Sequence, residues 1–201
     1  MLSYLESKIP AFLAAIPSCL ATSMEMNFDA TSTVQYMATN YWIPLTSVST
    51  YFLFITLGPK IMDHREPFEL TNALATWNAS LCLFSFIGML KTVPMMFSIS
   101  MTQSFEQTVC THPFDSWGTG PTGFWVMLFC FSKIPELIDT VFILLRKKNL
   151  IFLHWYHHIT VLLFCWNAYA TMSATGLYFV SMNYSVHALM YGYYCLQALK
   201  K

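Results

Sequence analysis

Long apolar runs separated by short charged segments organise this chain. Because a helix needs about 20 apolar residues to cross the hydrocarbon core of a membrane, five runs qualify as candidate spans. They cover residues 41–57, 70–90, 123–145, 150–170 and 176–199. We expect the first run to end at Gly58-Pro59 and Pro135 to kink the third, because proline removes a backbone donor from a helix. The pattern predicts an all-α fold, a polytopic transmembrane helix bundle with about five spans.

The basic residues of the connecting segments give these spans an orientation. Lys60 and Arg65 follow the first run, residues 146–148 are Arg-Lys-Lys between the third and fourth runs, and two lysines follow the fifth. Lys91 belongs to the segments on the opposite side. Since loops rich in Lys and Arg stay in the cytoplasm, we expect a luminal or extracellular N-terminus and a cytosolic C-terminus.

The composition supports a membrane protein and argues against other classes. Hydrophobic residues make up 56% of the 201 positions and charged residues 10%, whereas a soluble domain carries about 25% charged residues. The formal net charge is zero, which gives no reason to expect nucleic-acid binding. The six cysteines include no Cys-x-x-Cys pair, so neither a thiolate metal site nor a disulfide framework is expected.

Three of the six histidines lie together at the start of the fourth run, as His154, His157 and His158. Their i, i+3, i+4 spacing puts them on one face of a helix. No Asp, Glu, Lys or Arg occurs from Asn149 to Leu199. Ionisable side chains within such apolar sequence usually serve a function, because they are costly in lipid. The alternative is that these histidines only anchor a helix end at the membrane interface.

Two further polar groups interrupt apolar runs at helical spacing. They are Lys133, Glu136 and Asp139 in the third run, and Asn183, His187 and Tyr191 in the fifth, with Tyr184 and Tyr193 close by. The first group is also compatible with a salt-bridge ladder between helices. A single histidine in a span, such as His187, is usually a buried residue with a structural hydrogen bond. The presence of the two other polar groups nevertheless favours a role for His187 in a functional site.

These residues are chemically suited to acyl transfer or to metal-dependent oxidation of a lipid. Imidazole acts near neutral pH as a nucleophile, a general base or a metal ligand. A carboxylate such as Asp139 or Glu136 would hold the imidazole tautomer. Arg146 and Lys148, at the predicted cytosolic end, suit the phosphate groups of a ligand such as coenzyme A.

The order and spacing of the motifs are similar to those of the very-long-chain fatty acid elongase (ELO) family. The similarity rests on Lys133-x-x-Glu136-x-x-Asp139-Thr140, Leu153-His154-x-x-His157-His158 and Asn183-Tyr184-x-x-His187-x-x-Met190-Tyr191. Segment 146–163 and Arg65-x-Pro67-Phe68-x-Leu70 resemble the branch that acts on saturated and monounsaturated acyl chains. Residues 1–40 resemble no family segment. We therefore divide the chain into a divergent N-terminal segment, 1–40, and an elongase transmembrane domain, 41–201, which we expect to lack the last two of the family's seven spans.

The resemblance implies a 3-ketoacyl-CoA synthase, a multi-pass acyltransferase of the endoplasmic reticulum membrane that condenses a long-chain acyl-CoA with malonyl-CoA. It implies an acyl-enzyme on His157, with His187, His154, His158, Asp139 and Glu136 completing the catalytic group. It assigns the coenzyme A and thioester path to Lys133, Arg146, Lys148, Asn183, Tyr184 and Tyr193. No metal or other cofactor is implied. The expected partners are the two CoA substrates, membrane lipid, and other elongases or elongation-cycle reductases in homo- or hetero-oligomers.

Two alternatives remain open at this point. A membrane di-iron oxidase or desaturase also uses a His-x-x-His-His motif, although it needs more histidine boxes than six histidines supply. The iron content of the purified protein separates this alternative from an elongase. The second alternative is a catalytically inactive, truncated membrane subunit that pairs with full-length elongases.

Overall fold

The computed structural model describes residues 2–200. In this part of the chain the regular elements are helices joined by turns and loops. In chain order the α-helices are α1 (Leu2–Ala15), α2 (Ser23–Met26), α3 (Thr31–Thr39), α4 (Trp42–Met62), α5 (Thr71–Thr102), α6 (Phe105–Cys110), α7 (Gly120–Ser132), α8 (Ile138–Leu145), α9 (Phe152–Ala170) and α10 (Gly176–Leu199). Short 3-10 turns occupy Ile16–Ser18, Pro113–Asp115 and Pro135–Leu137. Within residues 2–200 the β-structure amounts to one isolated bridge between Asp29 and Thr119, so the predicted all-α class is confirmed for this part.

Two predicted helix ends are wrong, because both helices continue through a proline. Helix α4 passes Gly58-Pro59 and ends at Met62. A proline in the last turn removes one backbone hydrogen bond, and α4 continues beyond it while packed on α8, with Leu144 against Gly58. Helix α5 likewise continues past the predicted end at residue 90, through Pro94, to a length of 32 residues.

The third apolar run is interrupted, as the position of Pro135 predicts. Helix α7 ends at Ser132, the 3-10 turn Pro135–Leu137 follows, and α8 starts at Ile138. Proline is well placed at the first position of a new helical turn, where a backbone N–H would have no partner. The interruption lies beside Lys133 and Glu136, which are both buried. The predicted site residues of this run therefore do not share one helix face: Lys133 caps the end of α7, Glu136 lies in the turn and Asp139 lies in α8.

Among the described helices, α5 alone is long and apolar enough to cross a membrane. Helices α4, α9 and α10 contain 21, 19 and 24 residues but are less apolar, because tyrosine, histidine, serine and asparagine interrupt them. The expectation of five spans therefore stays a prediction.

Helix α5 is the central element of the packing. It lies along α10 and also contacts α1 and α7, while α9 packs against α3, α4 and α7. The buried core between these helices includes Trp117, Val126, Phe129, Cys165, Trp166, Tyr169, Leu177, Val180 and Tyr184. The other side of α5 and α10 borders the cavity described below.

A buried lysine holds the N-terminal segment against α5. Lys91 is 7% exposed, and its Nζ donates to the backbone oxygens of Pro17 at 2.8 Å and Cys19 at 3.0 Å. Glu25 Oε1 lies 3.7 Å from the same Nζ and accepts a hydrogen bond of 2.7 Å from Trp125 Nε1. The charge pattern placed Lys91 in a segment between spans, and this is wrong: the residue lies inside α5, with its charge compensated by the N-terminal segment.

Gly88 allows α5 and α10 to approach closely. A Cβ atom on Gly88 would overlap the ring of Tyr184. That ring is 1% exposed and packs against Phe84 and Phe129. Its hydroxyl donates to the backbone oxygen of Trp125 at 2.9 Å. The ring is therefore held on several sides and cannot move aside for a larger side chain at residue 88.

We expect Gly88→Ala to destabilise the fold by about 1–3 kcal/mol, the usual cost of overpacking a filled core. Thermal unfolding in detergent measures this effect. Gly192→Ala on α10 is the matched control, because its new Cβ would lie 3.3 Å from Cys82 Sγ, a contact that needs only a small shift. Both variants gain the same helix propensity, so equal melting temperatures for the two would contradict the packing argument.

Candidate active site

A cavity of about 880 Å³ lies among α5, α8, α9 and α10. Its polar lining includes Asn78, Glu136, Asp139, His154, His157, His158, Asn183, His187 and Tyr191. Its apolar lining includes Leu74, Phe142, Ile143, Phe179, Met182, Val186 and Met190. All four predicted histidines therefore meet in one space, although they come from two helices. An apolar pocket with a few convergent polar groups is typical of a ligand site.

The histidine box occupies the first two turns of α9. The chain is extended at Ile151 and becomes helical at Phe152, which brings His154, His157 and His158 to one face. The ring centroids of His154 and His158 are 4.5 Å apart, and those of His157 and His158 are 5.8 Å apart. His157 is exposed, whereas the other two rings are half-buried. The box thus presents the His157 ring most openly.

His154 is engaged in a hydrogen-bonded chain with two other helices. Its Nε2 lies 2.9 Å from Thr140 Oγ1 of α8, and Thr140 Oγ1 lies 2.7 Å from the Tyr51 hydroxyl of α4. Thr140 is 0% and Tyr51 4% exposed. The ring of His158 lies 6.3 Å from that of Tyr51. Tyr51 therefore contacts two histidines of the box, His154 through Thr140 and His158 through its ring.

Asp139 joins α5 and α10 across one wall of the cavity. Its Oδ1 accepts a hydrogen bond of 2.6 Å from Trp77 Nε1, and its Oδ2 accepts one of 2.6 Å from the Tyr191 hydroxyl. Tyr191 in turn packs against His187, with ring centroids 5.3 Å apart. Charge-assisted hydrogen bonds of this length are strong. Asp139 therefore fixes the position of Tyr191 beside His187.

Lys133 and Glu136 form an ion pair within one turn. Lys133 Nζ lies 2.7 Å from Glu136 Oε1 and 4.1 Å from the ring centre of Phe129. Glu136 also accepts a hydrogen bond of 2.9 Å from Ser132. Lys133 Nζ is 3.5 Å from Asn183 Oδ1, so it reaches a residue of the cavity wall without lining the cavity itself. The pair is local, within one turn, and does not form the salt-bridge ladder between helices that was the alternative interpretation of these residues.

Besides Lys133, two other predicted substrate contacts do not line the cavity. Tyr184 is buried in the aromatic core on the other side of α10, against Phe84 and Phe129. Tyr193 is 58% exposed and does not line the cavity. Both lie on faces of α10 different from the one shared by Asn183 and His187, since the helical repeat of 3.6 residues turns neighbouring positions apart.

Basic residues border the end of the cavity where α8 and α10 finish. Arg146, Lys148 and Lys200 contribute to its lining. Lys147 adopts a left-handed backbone conformation with φ of 51°, and the following N–H of Lys148 donates to Ile143 O at 2.9 Å. This helix-ending turn directs the chain from α8 into the loop before the histidine box. The same loop contacts the loop after α4, where Lys147 Nζ donates to Asp63 O at 3.1 Å.

The expected carboxylate–histidine contact is not formed in residues 2–200. Asp139 and Glu136 accept their hydrogen bonds from Trp77, Tyr191, Ser132 and Lys133. The partner of His154 is a hydroxyl group instead. In the same part of the chain no three His, Cys, Asp or Glu side chains are grouped so that they would hold a metal ion.

Sequence reasoning missed three residues that support the site: Tyr51, Trp77 and Thr140. Thr140 follows Asp139 at the end of the motif that begins at Lys133, and this position could have indicated that it belongs to the site. Tyr51 and Trp77 are aromatic residues in apolar runs far from the motifs. Their roles depend on the packing of α4 and α5 on α8, which no local pattern shows.

Comparison with known proteins decides the family. A profile of the GNS1/SUR4 (ELO) family matches residues 36–201. This chain belongs to the ELO family. It is similar to the Putative fatty acid elongase 3 of Caenorhabditis elegans, with 44% identity over 178 residues, 88% of this chain and 55% of that relative. It is also similar to the Very long chain fatty acid elongase 6 of Gallus gallus, with 46% identity over 175 residues, 87% of this chain and 65% of that relative.

A third relative gives the same result for the ELO chain. The Very long chain fatty acid elongase 4 of Trypanosoma cruzi is 46% identical over 149 residues, 74% of this chain and 52% of that relative. The resemblance found in the motifs is thereby confirmed. The chain spans between 52% and 65% of the length of these three relatives.

Proposed function

We propose that this ELO chain carries the condensing site of fatty acid elongation and acts as a 3-ketoacyl-CoA synthase on long-chain acyl-CoA and malonyl-CoA. The observation that supports this most is the state of His157. Its ring is exposed at the cavity and, among the described residues, makes no hydrogen bond. An imidazole nitrogen free of hydrogen bonds is available as a nucleophile toward a thioester.

The first step transfers the acyl group to His157. The ring nitrogen attacks the thioester carbonyl carbon, a carbon–nitrogen bond forms, and the carbon–sulfur bond breaks. The proton of the imidazole passes to the departing sulfur, so that coenzyme A leaves as a thiol. The acyl-imidazole that remains is a reactive acyl donor, and the difficult reaction is divided into two easier steps.

The second step forms the new carbon–carbon bond. Malonyl-CoA loses carbon dioxide, and the electron pair of the broken bond remains on the α-carbon of the thioester. This carbon attacks the acyl carbon on His157, the carbon–nitrogen bond breaks, and the imidazole takes up one proton from the medium. We propose that His187, held beside Tyr191, and Asn183 orient the malonyl thioester for this attack.

The rest of the cavity suits the two ends of an acyl-CoA. The apolar wall formed by residues of α8 and α10 would hold the acyl chain and keep water from the acyl-imidazole. Arg146 and Lys148 would pair with phosphate groups. Because Lys133, Tyr184 and Tyr193 do not line the cavity, we assign them no direct contact with substrate. A place in the endoplasmic reticulum membrane, preference for saturated and monounsaturated chains, and association with other elongases or reductases remain predictions.

The test is condensation by the 201-residue chain in liposomes, synthesised in a cell-free system so that no other elongase is present. Malonyl-CoA labelled at C2 should transfer its label to a 3-ketoacyl-CoA. Malonyl-CoA labelled in the carboxyl carbon should give labelled carbon dioxide in equal amount. Liposomes without the chain provide the blank. An inserted chain that yields neither product would contradict the proposal and favour a catalytically inactive subunit.

A further inference from the structure

A hydrogen-bonded chain of two hydroxyl groups ends on His154. It runs from the Tyr51 hydroxyl to Thr140 Oγ1 over 2.7 Å and from Thr140 Oγ1 to His154 Nε2 over 2.9 Å. Three helices supply the three residues, and both hydroxyl residues are buried. Thr140 stands in the ELO motif Lys133-x-x-Glu136-x-x-Asp139-Thr140, but the proposed chemistry gives this hydrogen-bonded chain no role, because Tyr51 and Thr140 do not line the cavity.

The protons of this chain can be placed by counting donors and acceptors. Among the described residues, the Tyr51 hydroxyl has one hydrogen-bond partner, Thr140. If His154 donated to Thr140 and Thr140 donated to Tyr51, the buried tyrosine proton would have no acceptor. If Tyr51 donates to Thr140 and Thr140 donates to His154 Nε2, both hydroxyl protons are used. A buried donor without an acceptor is costly, so the second arrangement is favoured.

We infer that Tyr51 and Thr140 hold His154 as the neutral tautomer with its proton on Nδ1, so that His154 meets the ligand as a hydrogen-bond donor. The unprotonated nitrogen of this ring is already occupied by Thr140. His154 is therefore unable to attack a thioester through Nε2, whereas His157 has no such restriction. The hydroxyl chain separates the roles of two histidines that stand three positions apart.

The role of the donor rests on the proposed function, whereas the tautomer does not. During attack on a thioester, negative charge develops on the carbonyl oxygen, and a fixed donor aimed at that oxygen lowers the barrier. Because the His154 ring lines the cavity, its Nδ1–H would supply such a donor to a carbonyl oxygen bound beside it. Tyr51 and Thr140 are positioning residues in this scheme, since they act through His154.

Nuclear magnetic resonance of the full chain in nanodiscs tests the tautomer directly. With ¹³C,¹⁵N-labelled histidine, ring shifts separate the Nδ1–H tautomer, the Nε2–H tautomer and the doubly protonated ring. The loss of one set of signals in His154→Gln assigns the residue among six histidines. We expect the Nδ1–H form in the parent chain and a shift toward the Nε2–H form in Thr140→Val. A parent chain with His154 in the Nε2–H or the doubly protonated form would overturn the inference.

Kinetics in the condensation assay test the consequence for catalysis. We expect Thr140→Val to lower kcat about 10–100-fold with little change in KM, the usual effect of removing a residue that orients a site group. Tyr51→Phe should act in the same direction, and Thr140→Ser, which keeps the hydroxyl, should restore most of the activity. Thr56→Val on α4 is the control, because the Thr56 hydroxyl bonds only to its own helix.

The two measurements keep the two proposals apart. If the parent chain shows the Nδ1–H form but makes no product, the proposed function fails and the tautomer assignment stands. If Thr140→Val loses the Nδ1–H form but keeps full kcat, the donor role of His154 is overturned while the condensing activity stands.

Discussion

We expect a chain that carries His157→Ala to insert and fold like the parent but to make no detectable 3-ketoacyl-CoA. The reason is that the substitution removes the one box histidine whose ring is exposed at the cavity. His154 is hydrogen-bonded through Nε2, and His158 is packed between His154 and Tyr51, so neither replaces it. Removal of a nucleophile typically costs a factor of about 10³ or more in turnover.

Trapping the acyl-enzyme makes this prediction sharper than the assay of turnover alone. Incubated with labelled acyl-CoA and no malonyl-CoA, the parent chain should acquire label and release one equivalent of coenzyme A thiol. His157→Ala should do neither. His64→Ala is the matched control, because His64 is an exposed loop residue outside the cavity lining. Labelling of His157→Ala to the level of His64→Ala would refute the assignment of the nucleophile.

We expect the loss of one partner of the Lys133–Glu136 pair to lower the stability of the fold more than Gly88→Ala does. Lys133 and Glu136 are 3% and 4% exposed, with 2.7 Å between Nζ and Oε1. Lys133→Met leaves a buried carboxylate with Ser132 as its remaining hydrogen-bond partner. Breaking a buried ion pair from one side costs about 3–5 kcal/mol. We expect the melting temperature in detergent to fall by roughly 6–20 °C.

The double variant Lys133→Met/Glu136→Leu shows whether the lost stability comes from the unpaired charge. It removes both charges, and apolar replacement of a buried pair is often neutral for stability. Its melting temperature should therefore lie well above that of Lys133→Met. Lys60→Met controls for the loss of a lysine, because Lys60 is exposed at the end of α4. If both charge-removing variants melt at the same temperature, packing rather than charge accounts for the loss.

Sequence patterns predicted the positions of the long helices and named candidate site residues, but they did not predict the contacts between the helices. The length of the apolar run at residues 176–199 predicted the bounds of α10, and Pro135 predicted the interruption between α7 and α8. The ends of α4 and α5 were wrong, since Pro59 and Pro94 lie inside helices. Local propensity favours a break at these prolines, whereas contacts along α5 and α10 and between α4 and α8 stabilise the helices beyond them.

The candidate site divides in the same way. Spacing alone brought the box histidines to one face, and His187 to the same side of α10 as Asn183. Spacing did not show that Asp139 bonds to Trp77 and Tyr191, or that His154 bonds to Thr140, because these contacts join separate helices. Spacing also did not show that the Lys133 ammonium group lies over the Phe129 ring and pairs with Glu136. The identities of site residues are local information, whereas their partners are set by the tertiary packing.

In the predicted membrane topology, the interruption at Pro135 would affect how the chain is assembled in a bilayer during synthesis. Residues 120–145 form two half-helices of 13 and 8 residues joined by a 3-10 turn, with a charged pair at the joint. Irregular backbone and paired charges are stable at membrane depth only when protein surrounds them. This segment is therefore a poor candidate for release into lipid on its own. We expect the segment to stay next to the insertion machinery until α10 has been synthesised and packs on α5. Helix α10 begins more than thirty positions after the end of α8, and its packing would complete the protein environment of the charged pair.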